Sequence, residues 1–103
     1  SHAVCFVGVA MQLLESAAAN FEGEATQYPG GLATVYCWGN FAGAIVKLMV
    51  SPNKTDWFDL EGYTLTQSSK PKNMQLSDCW IKGQVFGGGA ETSINLIVRK
   101  FVN

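Results

Sequence analysis

The stretch from Gly39 to Thr66, GNFAGAIVKLMVSPNKTDWFDLEGYTLT, constrains the fold more than any other part of the chain, because it spells a strand, a tight turn and a returning strand. Ile45 to Val50 is apolar and rich in β-branched residues, with Lys47 as its only charge. That composition suits a pleated strand with one core face and one wetter face. Ser51-Pro52-Asn53-Lys54-Thr55-Asp56 then supplies turn chemistry, since Pro presets φ and Asn tolerates the left-handed region. Trp57-Phe58-Asp59-Leu60 resumes an extended pattern that Glu61-Gly62 ends. The unit predicted is a β-hairpin with Trp57 returned to the core.

Alternation extends to the rest of the chain. Leu32 to Trp38 places Val35 and Cys37 on one face and Thr34, Tyr36 and Trp38 on the other. Tyr63 to Thr66 is a short strand, and Gln67 to Asn73 is polar turn material. Cys79 to Phe86 sets Ile81 and Val85 inward with Lys82 and Gln84 outward, and Gly87-Gly88-Gly89 turns the chain. Thr92 to Phe101 alternates Ile94, Leu96 and Val98 against Ser93, Asn95 and Arg99, the pattern of a half-buried antiparallel strand. Gly23 to Gly31 reads as a loop. Between residues 3 and 19, Val4, Val7, Met11 and Leu14 fit a helical face while Cys5, Val7, Val9, Met11 and Leu13 fit a strand face; Gly8 and the valines favour a strand. The predicted core is Val35, Val46, Leu48, Trp57, Ile81, Val85, Ile94, Leu96 and Val98. Six to eight short strands with Gly and Pro turns predict an all-β, antiparallel β-sandwich, of which a jelly roll is one form.

At 103 residues the chain is one domain, 1–103. Charged residues make up 15% of it, against about a quarter in a typical domain, so much of its surface is suited to protein contacts. The formal net charge of −1 supplies no basic field for nucleic acid or an anionic membrane. The apolar run from Ala3 to Leu14 is too short to span a bilayer, and without a basic n-region it reads as mature protein rather than a leader. It is instead a candidate interaction segment, 1–14, carrying Val4, Phe6, Val7, Val9, Met11 and Leu13; Tyr36 and Trp38 join them as candidate contact residues.

Candidate chemistry is sparse. Cys5, Cys37 and Cys79 are widely spaced, odd in number and without a CxxC pair, which predicts small buried apolar residues and no metal or disulfide framework. Asp56, Asp59 and Glu61 have the oxygen ligands calcium or glycoside chemistry needs, but they surround a hairpin strand without a ligand loop and read as solvated carboxylates. Gly87-Gly88-Gly89 lacks the Lys-Ser/Thr continuation and helix of a phosphate loop. Tyr36, Trp38, Trp57 and Trp80 could stack on sugars; Trp57 is assigned to the core, and the pattern leaves Trp38 and Trp80 open between core and surface. The single His2 has no partner to make it a catalytic base, so no enzyme activity and no cofactor are expected.

The residues Gly39, Phe41, Gly43 and Ala44, the turn Ser51-Pro52-Asn53, the pair Trp57 and Asp59, and the run Gly87-Gly88-Gly89 together resemble a widespread group of small structural proteins of tailed bacteriophages. Those chains show a Gly-x-Phe-Gly-Gly-Ala step, a Ser-Pro-Asp-Gly turn, a Trp-x-Asp pair and a Gly-rich turn before the last strand. The similarity covers roughly residues 13 to 101, with Asn53-Lys54 in place of Asp-Gly. The resemblance implies a β-sandwich virion protein made in the host cytoplasm, a head decoration or cement protein. Its implied partners are the major capsid protein and further copies of itself, as a homotrimer. A tail or fibre component is the alternative within the virion, and a carbohydrate-binding module the alternative outside it.

Overall fold

The computed structural model describes residues 9–101. Eight strands follow one another: β1 (Val9–Ala17), β2 (Thr26–Tyr28), β3 (Gly31–Asn40), β4 (Ile45–Ser51), β5 (Phe58–Leu65), β6 (Lys72–Leu76), β7 (Cys79–Phe86) and β8 (Ser93–Lys100). They form two antiparallel sheets, sheet I in the order β1-β8-β3-β6 and sheet II in the order β2-β7-β4-β5. First pairs with last, second with seventh, third with sixth and fourth with fifth. One long hairpin rolled up on itself gives that pairing, and it is the strand order of a jelly roll.

The core lies between the sheets. Val35, Cys37, Val46, Leu48, Ile81, Val85, Ile94, Leu96 and Val98 are all buried, as their alternation requires. Gly83 on the inner face of β7 matters here, because a Cβ at that position would come within 2.8 Å of Leu14 and Leu96 side-chain carbons. Its bare backbone lets those two leucines of sheet I reach sheet II. Tyr63 closes one open side, its hydroxyl donating to the Asn73 carbonyl at 2.8 Å and so tying β5 to β6 of the other sheet.

Several expectations are corrected. Trp57 is not in the core: it precedes β5 and lays its ring over the Lys82 ammonium, 4.3 Å away, on the outer face of sheet II. Lys82 does point outward as expected, yet it is only 8% exposed, because Trp57 and the Glu22 carboxylate cover it. The loop read between Gly23 and Gly31 contains β2, whose Tyr28 is wholly buried and donates its hydroxyl to the Gly31 carbonyl at 2.6 Å. The polar stretch before Met74 likewise leads into β6, which starts at Lys72.

Glu61-Gly62 does not end a strand. β5 runs through it, with Gly62 at φ 85° and the four residues Leu60 to Tyr63 set against Leu48 alone, a special bulge. β1 has bulges too: a register shift between Gln12 and Leu14 turns both Leu13 and Leu14 inward.

Candidate interaction surface

Strand alternation fixes what each sheet shows to solvent. On sheet II the outward residues include Trp80, Lys82, Gln84 and Phe86 of β7 and Ile45, Lys47 and Met49 of β4. Lysines lie over three aromatic rings there, Lys47 at 5.5 Å from the Phe86 centroid, Lys54 at 4.7 Å from Trp80 and Lys82 under Trp57, while Phe58 of β5 is exposed without one. Lys47 also pairs with Asp59 at 2.7 Å and Lys82 with Glu22 at 2.5 Å. Ammonium groups over aromatic faces keep such a surface hydrated.

Sheet I is built differently. Its outer face carries Leu32, Thr34, Tyr36 and Trp38 on β3 and Asn95, Ile97 and Arg99 on β8, with Ala10 and Gln12 on β1. Trp38 is 45% exposed and Leu32 39%. Among the described residues, no lysine or arginine lies over Tyr36 or Trp38. The apolar stripe continues to one end of the sandwich, where Phe101 donates its N–H to the Leu32 carbonyl at 3.0 Å and Val9 stands opposite Lys100. Val9, Leu32 and Phe101 are all exposed at this end. A smaller exposed group, Ile45 and Phe86 with Phe21, sits at the opposite end beneath Lys47.

The expected contact residues are therefore divided. Val4, Phe6 and Val7 lie outside the described residues, as does Cys5. Val9 is exposed, but Met11 and Leu13 are buried between the sheets and are core residues rather than contact residues. Tyr36 and Trp38 do share the outer face, flanking a column that contains Ile97. Ile97, Leu32 and Phe101 were missed by the sequence reading. The available signal was Ile97 itself, an isoleucine at a polar position of an alternating strand.

The candidate chemical groups remain apart. Asp59 is held by Lys47, Asp56 accepts from the Asn53 amide at 2.8 Å, and Glu61 is exposed; among the described residues no group of His, Cys, Asp and Glu could hold a metal ion. The glycine turn is engaged within the chain, with Gly87 N–H donating to Asn20 Oδ1 and Gly89 N–H to Thr92 Oγ1, both at 2.9 Å. A shallow cleft of about 220 Å³ is lined by Val50 to Pro52 and Leu76 to Cys79. Burial and the neighbouring Asp78 push the Cys79 thiol up, which disfavours a thiolate nucleophile there. Cys37 is pushed up to about 11 by burial. Among the described residues no helix is long and apolar enough to cross a membrane.

Comparison of the chain with family models, with curated proteins and with solved structures found no match.

Proposed function

We propose that this protein is a structural component of a tailed-bacteriophage particle, a decoration or cement protein that binds the assembled capsid shell and stiffens it. The observation that supports it is the group of exposed apolar residues Val9, Leu32 and Phe101 at one end of sheet I, the end at which the sequence's apolar N-terminal segment enters β1. A sandwich with lysine-covered aromatics on one face and an uncovered stripe on the other is suited to bury surface against a protein partner. A ligand that binds only the assembled state stabilises that state by mass action, by about 2.7 kcal/mol per site at a hundredfold excess over Kd. Its partners are the major capsid protein and further copies of the chain; the protein is made in the host cytoplasm and carried in the virion.

Glycan stacking has weaker support, since Trp57 and Trp80 each have a lysine over the ring and only Trp38 of the three tryptophans is left uncovered. The experiment is to strip the protein from particles, heat them, and add back either the whole chain or one lacking Ser1 to Gly8, a deletion that stops short of β1. Whole protein restores heat resistance and the truncated form binds poorly. If neither binds heads and the protein is found on tails, the tail-component alternative replaces this one.

A further inference from the structure

We propose that the outer face of sheet I is a twofold interface between two copies of this chain, held by Arg99 of each copy against Trp38 and Glu15 of the other. Pairing through sheet edges is poorly supported by the fold. β2 has three residues, β6 has five, β1 carries two register shifts and β5 the four-residue bulge. Short or bulged edges are how sheets avoid recruiting another strand, which leaves a face as the route to association.

Beyond the Leu32 and Phe101 row at one end, the face has three central rows of outward residues on β1, β8 and β3. Ala10, Arg99 and Thr34 form the first; Gln12, Ile97 and Tyr36 the second; Asn95 and Trp38 the third. Glu15 extends the third row, because the next residue, Ser16, donates its N–H to Asn95 Oδ1 at 3.0 Å. A twofold axis across the strands, through the middle row, stacks Ile97 and Tyr36 on their counterparts and lays the first row of each copy on the third row of the other. Arg99 then meets Asn95, the uncovered ring of Trp38 and the Glu15 carboxylate. Sheets pack face to face at about 10 Å, a gap that arginine and tryptophan side chains span.

Charge selects this axis over the other. A twofold along the strands would set Arg99 opposite Arg99, whereas the crosswise axis sets it against an acid and an aromatic face. Among the described residues neither Arg99 nor Glu15 has an ion-pair partner within its own chain. Four strands of this length offer a face of roughly 500 Å², hence about 1,000 Å² buried in total, at the lower bound for a specific interface and right for a reversible dimer. Crosswise pairing turns the two Val9 ends in opposite directions and leaves Leu32 and Phe101 at the rim of the paired face. The pairing itself stands without the capsid role.

Light scattering and sedimentation equilibrium of the full chain, from micromolar to sub-millimolar concentration and without particles, test it. The expected result is a reversible dimer of the 11.1 kDa chain. Arg99→Glu and Glu15→Arg each weaken it about tenfold or more, the double reversal returns it to within a few-fold of wild type, and Trp38→Ser dissociates it with the circular dichroism unchanged. A monomeric mass throughout, a trimeric mass, or a double reversal no tighter than the single variants would overturn the twofold arrangement. An intact dimer that fails to bind capsids would instead count against the capsid role.

Discussion

Tyr28 is the most demanding single test of the fold, because β2 consists of three residues and Tyr28 is its one wholly buried side chain. β2 is held to β7 by the rungs Thr26 to Ile81, Gln27 to Trp80 and Tyr28 to Cys79, and that pairing is one of the four that close the roll. Tyr28→Ala removes a large ring from the core and leaves a cavity that the short strand cannot fill, a loss of about 3–5 kcal/mol by analogy with buried aromatic truncations. Domains of this size have about 5–15 kcal/mol in all, so the variant approaches the limit of folding. Tyr28→Phe keeps the ring and deletes only the 2.6 Å bond to the Gly31 carbonyl. It should cost about 1 kcal/mol. Urea unfolding followed by circular dichroism measures both, and the alanine variant should melt at least about 12 °C lower. If Tyr28→Ala loses no more than Tyr28→Phe, the ring is not anchored between the sheets and the β2–β7 closure is wrong.

Trp57→Ala should cost about 1–2 kcal/mol, well below Tyr28→Ala, because it removes the ring from Lys82 and opens no cavity in the core; chemical denaturation distinguishes the two outcomes. Gly83→Val should lose about 1–3 kcal/mol or more through crowding of Leu14 and Leu96, and thermal unfolding would show wild-type stability if the sheets were further apart there. Burial raises the pKa values of Cys37, Cys79, Tyr28 and Tyr63, with Asp78 adding to the shift at Cys79 and Cys79 to that at Tyr28. The folded chain holds those protons more tightly than the unfolded one, so stability is fully present below the unfolded values of 9.0 for Cys and 10.0 for Tyr. It falls as pH rises through the folded values, that of Cys37 being about 11. Urea midpoints between neutral and alkaline pH check this, and Cys37→Ala should flatten the first part of the decline.

β3, β4 and β8 were legible because their apolar residues recur on one face, and β7 because Ile81 and Val85 flank Gly83 on one face. The β4–β5 hairpin was legible from its Ser51-to-Asp56 turn, although the bulge hid where β5 continues. Ile94, Leu96 and Val98 are each at most 1% exposed, as strict alternation requires. β2 was hidden because three residues beside Pro29-Gly30-Gly31 are too few to establish a period. β6 offers Met74 as its one buried side chain, and it follows Pro71 in a polar stretch. Trp57 was misplaced because strand periodicity does not reach a residue in a turn, where Lys82 on a neighbouring strand determines the ring's position. Met11 and Leu13 were read as contact residues since an apolar segment looks the same whether it packs inward or against a partner. The uncovered face of sheet I required tertiary information, because strand order brings Ile97 beside Tyr36 from 61 residues away.

Locating the protein in an intact phage particle by cryo-electron microscopy tests the central claim most directly. The account predicts eight-stranded sandwiches on the outer surface of the head shell, with the Val9, Leu32 and Phe101 end against the major capsid protein. Sandwiches confined to the tail or fibres, or bound to the head through the lysine-covered face of sheet II, would contradict it.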